Sequence, residues 1–147
     1  MPNKGLGAAG AAIIALGLVL DAGAADIGQI KLAKGQVTIE RNGQSMPAQV
    51  GARVQDADTV RTGADGSVGI TMTDDSLLSA GPDSVLTLDR YAFDPTTQRG
   101  RFDASLKKGT LAVVSGRIAK QSPDAMTVRT PAAILGVRGT EFVVSVK

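Results

Sequence analysis

Residues 65–88 read Asp65-Gly66-Ser67-Val68-Gly69-Ile70-Thr71-Met72-Thr73-Asp74-Asp75-Ser76-Leu77-Leu78-Ser79-Ala80-Gly81-Pro82-Asp83-Ser84-Val85-Leu86-Thr87-Leu88. Three short polar triplets, Asp65-Gly66-Ser67, Asp74-Asp75-Ser76 and Pro82-Asp83-Ser84, each precede an apolar run. In the first run Val68, Ile70 and Met72 point one way, and Gly69 and Thr71 the other. That is the period-two pattern of a half-buried strand. The serines are nine and then eight residues apart, which fits a strand of about five residues plus a tight turn. Units of this size either stack as rungs of a β-solenoid or form an antiparallel meander. Spacing alone leaves both open.

The pattern continues in both directions. Val37 and Ile39 alternate with Thr38 and Glu40, and Asn42-Gly43 then gives a type I′ hairpin signal. Leu86 and Leu88 repeat the alternation before Asp89, and Leu111 and Val113 begin a run closed by Gly116. Met126 and Val128 precede Thr130-Pro131, and the last run is Phe142, Val144 and Val146. One helical turn is expected near Asp103 to Lys108. The reading is all-β, with short strands and tight turns.

Composition removes several chemistries. The 147 residues contain no His, no Cys and no Trp. Ser–His and Cys–His nucleophilic catalysis, His or Cys zinc sites, iron–sulfur clusters and disulfides are thereby excluded. The four aromatic residues, Tyr91, Phe93, Phe102 and Phe142, are too few for base-stacking or sugar-stacking platforms. Net charge is +2. The pI of about 9.2 overstates basicity, because almost nothing titrates between roughly pH 5 and 9 without His or Cys. No clustered basic face marks a nucleic-acid partner. The expectation is a non-enzyme with no cofactor and no metal. Acidic turns suit calcium in principle, but the glycine-rich nonapeptide of calcium-binding β-rolls is absent. Lys107-Lys108, and Arg99 and Arg101 around Gly100, read as solvated turns.

The N-terminus reads as an address. Lys4 precedes sixteen uncharged residues, Gly5–Leu20, followed by Asp21 and Ala22-Gly23-Ala24-Ala25. This is the layout of a secretory signal peptide, with cleavage after Ala24 or Ala25. An uncleaved anchor is the alternative, but the run contains four glycines and falls short of the roughly twenty residues a spanning helix needs. The expected organisation is a signal peptide at 1–25 and one β domain at 26–147, exported to the periplasm or cell surface, with no stable membrane span after cleavage.

From Asp58 onward the chain resembles the FecR domain family of bacterial envelope proteins. The matching stretches are Asp58-Thr59-Val60-Arg61-Thr62-Gly63-Ala64-Asp65-Gly66-Ser67, then Asp74-Asp75-Ser76-Leu77-Leu78 with Gly81-Pro82-Asp83-Ser84, then Lys108 to Gly116. The most specific is Thr130-Pro131-Ala132-Ala133-Ile134-Leu135-Gly136-Val137-Arg138-Gly139-Thr140-Glu141-Phe142. Residues 26–57 match less distinctly, as an N-terminal strand layer. The resemblance implies a β-rich, solenoid-like module outside the cytoplasmic membrane. It favours the solenoid over the antiparallel sandwich or meander, which becomes the runner-up. The best-known members are transmembrane regulators of iron-siderophore uptake, with a cytoplasmic anti-sigma segment and a periplasmic sensing domain. With four residues ahead of the apolar run no anti-sigma tail is expected here, and with the matching region running to residue 147 no second sensory domain is expected after it.

Thr130, Pro131, Gly136, Arg138, Gly139, Thr140, Glu141 and Phe142 are expected to act mainly in structure: a strand break, two glycine turns or close approaches, and an Arg138–Glu141 pair. Arg138 and Lys147 are the candidate interaction residues. The last alternation runs to Lys147, so an unpaired strand edge or apolar end is expected there, recruiting a partner or defended by charge. The partner is an unidentified envelope protein or a second copy. The favoured function is protein interaction or sensing in the envelope. The alternatives are a structural subunit assembling through solenoid ends, and a glycan or cell-wall binder.

Overall fold

The computed structural model describes residues 25–136 and 141–147. Twelve strands follow in chain order: β1 (Asp26–Lys34), β2 (Val37–Arg41), β3 (Gln44–Pro47), β4 (Arg53–Gln55), β5 (Thr59–Thr62), β6 (Ser67–Met72), β7 (Leu77–Ala80), β8 (Val85–Asp94), β9 (Arg99–Val114), β10 (Met126–Arg129), β11 (Ile134–Gly136) and β12 (Glu141–Val146). One helix, α1 (Arg117–Gln121), and a 3-10 turn at Pro123–Ala125 lie between β9 and β10.

Two sheets share one strand. The first runs β4-β1-β6-β7-β9-β12, and the second β3-β2-β5-β8-β9-β10-β11. Every pairing among the described residues is antiparallel except β10 with β9. All-β is therefore correct, but the solenoid is not what these strands form. Solenoid rungs stack in parallel, whereas β6 and β7 fold back on each other as a hairpin with Val68 opposite Ala80. The described strands share the antiparallel pairing of the runner-up, a sandwich or meander, but their order β3-β2-β5-β8-β9-β7-β6-β1-β4 is not that of a meander. The three triplets do end where β6, β7 and β8 begin, and Asn42 and Gly43 both have the positive φ (53° and 78°) of a type I′ turn.

β9 passes from one sheet to the other through a bulge. Phe102, Ala104 and Leu106 are buried, and then Leu111 and Val113. The inward parity switches from even to odd numbers, so one extra residue separates the two runs. Its place is fixed by β8: Leu86 opposes Leu106 but Val85 opposes Lys108, leaving Lys107 over. A bulge turns the strand and steepens its twist. The expected helical turn at Asp103 to Lys108 is thus strand. Phe102 and Leu106 have helical spacing, but buried Ala104 between them keeps the period at two. β8 carries a second bulge between Thr87 and Arg90, which moves its inward face from Leu86 and Leu88 to Tyr91 and Phe93.

The corner is locked by Gly109 and Ser84. Gly109 has φ +95°, and a Cβ there would overlap the side chain and Cα of Ser84. The Ser84 hydroxyl accepts the Thr110 N–H at 3.0 Å, and the Ser84 N–H donates to Thr62 Oγ1 at 2.8 Å. Thr62 Oγ1 donates in turn to the Gly81 carbonyl at 2.6 Å. A side chain at 109 meets both the left-handed backbone cost and this crowding. Gly109→Ala is expected to destabilise the fold by about 2 kcal/mol or more, read as a lowered urea midpoint in circular dichroism. An unchanged midpoint would remove the corner from this account.

Candidate interaction surface

The buried polar residues have structural work. Asp74 is fully buried in the turn between β6 and β7. Its carboxylate accepts from the Ser76 N–H (3.1 Å) and hydroxyl (2.9 Å), the Tyr91 hydroxyl (3.1 Å) and the Ile118 N–H at the start of α1 (3.1 Å). Tyr91 Oη also accepts the Asp74 N–H at 2.8 Å. Gly116 permits this closure, because a Cβ there would strike the Asp74 carbonyl and Ser76. Asp58, equally buried, holds Arg41 through two hydrogen bonds of 2.8 and 2.7 Å and accepts the Gln55 N–H at 2.8 Å. The hydrogen bond to Asp58 raises the Arg41 pKa above its usual value. These carboxylates have their lone pairs committed, and none faces a cleft as a free base.

Turn geometry repeats through this region. Ala57, Asp75 and Asp83 each take a positive φ (72°, 71° and 51°), and each is followed by a buried polar residue, Asp58, Ser76 or Ser84. Two of the three sequence triplets, those ending at Ser76 and Ser84, thus share one device with Ala57-Asp58, a left-handed residue followed by a buried hydrogen-bonding side chain that ties the turn to a distant strand, whereas Asp65-Gly66-Ser67 lacks it.

No group of three or more acidic residues that could hold a metal occurs among the described residues. A cleft of about 380 Å³ is lined by Arg99, Gly100, Ile118, Gln121, Ser122 and Ala125. Arg99 is its single ionisable residue, so it offers no acid–base pair. All four aromatic residues turn to the core: Tyr91 and Phe102 are buried and meet edge to face at 5.0 Å, and Phe93 and Phe142 pack against the core from its margin.

The outer faces of the two sheets differ. On the second sheet, charged residues sit side by side: Arg61 donates to Glu40 at 2.6 Å and Arg101 to Asp103 at 3.0 Å. Burial opposes ionisation of Asp103, but hydrogen bonds from Thr127 and Arg101, with the charges of Arg101 and Arg90, outweigh it and hold its carboxyl below the usual range. Its contribution to stability is therefore present at neutral pH and is lost as pH falls through that depressed value. On the first sheet the outward residues of β6, β7, β9 and β12 are Ser67, Gly69, Thr71, Leu77, Ser79, Thr110, Ala112, Val114, Val143 and Ser145, with charge only at Glu141. Leu77 and Val143 are exposed there, Val143 to 70%.

The expected site residues fall into separate places. Thr130 closes the loop between β10 and β11: its hydroxyl accepts the N–H groups of Ala132 and Ala133 at 3.3 and 3.1 Å. Pro131 lines a hollow of about 270 Å³ with Ser105, Leu106, Lys107, Arg129 and Thr130. Gly136 ends β11 with open space where a Cβ would be and no positive φ, so neither a tight turn nor a close approach explains it. Arg138, Gly139 and Thr140 lie outside the described residues, as does the proposed leader up to residue 24. Glu141 opens β12, Phe142 faces inward, and Lys147 follows the strand. β12 pairs with β9 along Glu141–Val146, and among the described residues its other edge has no partner strand. Sequence reading missed Ile134, Leu135 and Val143 as exposed apolar residues; for Val143 the alternation with Phe142 and Val144 carried the signal.

A family model described as FecR protein matches residues 58–147. No curated protein and no solved structure matches the chain. No helix among the described residues is long and apolar enough to cross a membrane.

The chain has one Tyr and no Trp, so its phenolate absorbance reports Tyr91 alone. Burial pushes the Tyr91 hydroxyl well above its usual value of 10.0, and the charge of Asp74 adds to the shift. Stability from this group is complete below about pH 10 and declines as pH rises toward the folded value. A spectroscopic titration is expected to show phenolate near pH 10 in urea and well above it, or only on alkaline unfolding, in the native chain. Equal midpoints would contradict the buried Tyr91–Asp74 contact.

Proposed function

Because the chain belongs to the FecR protein family, we propose that it is a non-catalytic module for protein interaction or sensing in the bacterial envelope. The family supports a sensing or regulatory role in the envelope, and three features support the finer reading. The buried carboxylates are committed to turns, the cleft beside α1 offers a single ionisable residue, Arg99, and the outer face formed by β6, β7, the second half of β9 and β12 carries charge only at Glu141 and ends at an edge of β12 with no partner strand among the described residues. Such an edge recruits a strand through main-chain hydrogen bonds and selects it through alternate side chains. The edge of β12, without a partner strand among the described residues, is the single observation that carries the proposal.

Residues 1–25 fit the proposal as a leader for export to the periplasm or the cell surface. Assembly through solenoid ends loses its footing, because the strands pair antiparallel. The glycan alternative is disfavoured by the inward aromatic residues, since sugar rings stack on exposed aromatic faces.

A photoreactive residue at Val143, in cells expressing the tagged chain, tests both parts. The expected result is a processed chain outside the cytoplasm, with a discrete cross-linked species at Val143 and none at Arg129 on the opposite sheet. A full-length cytoplasmic chain, or equal labelling from both sites, would contradict the proposal.

A further inference from the structure

The edge of β12 is complementary to itself. We infer that a second copy of this chain pairs with it, antiparallel and centred on Val144, so that the first sheet continues across a two-fold axis. In that register Glu141 of one copy stands opposite Lys147 of the other, twice by symmetry. Phe142 stands opposite Val146, Val143 opposite Ser145, and Val144 opposite its own counterpart. Opposed residues share a face in an antiparallel pair, so the match can be checked for each layer. The inward layer joins Phe142, Val144 and Val146, which already face the core side of the sheet. The outward layer joins Val143 to Ser145 and closes at each end on a Glu–Lys pair. A one-residue slip would set inward residues against outward ones only by reversing a face, and a two-residue slip would separate both charge pairs.

Other edges are poorer candidates. β3 contains Pro47, which lacks the N–H a ladder needs, and β4 and β11 are three residues each. β12 offers six residues, and beside it lie Ala112, Ser79 and Gly69 on the outer face, small residues that leave a neighbouring copy close access. The inference deepens the interaction reading by naming a partner, and it rests on that reading only in using the same edge.

Two measurements on the full chain test it. Glu141→Lys and Lys147→Glu each place like charges opposite one another and are expected to weaken the dimer roughly three- to thirtyfold, while the double swap restores it. Light scattering across a concentration series reads this. Cysteine cross-linking fixes the register without background, because the chain has no Cys. Directly opposed residues have Cα atoms about 4.5–5.5 Å apart, within disulfide range. A mixture of the Val143→Cys and Ser145→Cys chains is expected to form disulfide dimers far more readily than either alone. Equal cross-linking in all three samples, or a double swap that fails to rescue, would overturn the register. A chain that stays monomeric yet cross-links an envelope protein from Val143 would overturn this inference and leave the proposed function standing.

Discussion

One strand belongs to two sheets, and the rest of the molecule is arranged around that fact. β9 can serve both only by turning a corner between Leu106 and Leu111, and the corner exists because one residue, Lys107, is left out of the pairing with β8. A bulge of this kind flips which side chains face inward. Phe102, Ala104 and Leu106 therefore fill the core from one sheet, and Leu111 and Val113 from the other. Gly109 carries the backbone through the turn, and Ser84 closes over it. Without the corner, the inward residues of the second half of β9 would face solvent.

The residues that mark the family are largely the ones that make this geometry close. Asp58, Asp74, Ser76 and Ser84 are buried; Asp74, Ser76 and Ser84 satisfy backbone donors from segments far away in sequence, Ile118, Gly116 and Thr110, while Asp58 takes the nearby Gln55 N–H and the Arg41 side chain 17 residues away. A buried carboxylate that lost these partners would carry a large desolvation penalty. These positions therefore report a fold and say little about a ligand. Function is left to surfaces the motif does not fill.

The sequence made strands legible because period two survives wherever one face is buried. It placed β6, β7, β8 and β10 correctly through turn triplets and alternation. The bulges were not legible, because an extra residue breaks the period that reveals a strand. That is why Asp103 to Lys108 suggested helix. Sheet partners were not legible either: the same nine- and eight-residue spacing serves rungs or hairpins, and only register decides. The short helix at Arg117–Gln121 escaped because its stability comes from Asp74 holding its first N–H groups, a contact made 44 residues away. Of the candidate site, the C-terminal edge was readable from Phe142, Val144 and Val146. The close-approach glycines at 109 and 116 were not, since their neighbours come from other strands.

What distinguishes this surface is the contrast between its two sides. Paired charges lie on the second sheet, while on the first the charges sit on β1 and β4, and small and apolar residues from β6 across β7 and β9 lead to the edge of β12, unpaired among the described residues. Amide hydrogen exchange tests most directly whether that edge pairs with a second copy. Along β12, alternate N–H groups bond to β9 and the others point outward. If a second copy pairs with that edge, the outward N–H groups gain protection as chain concentration rises, while those of β3 and β11 do not. Outward N–H groups that exchange at one rate over the whole concentration range would contradict it.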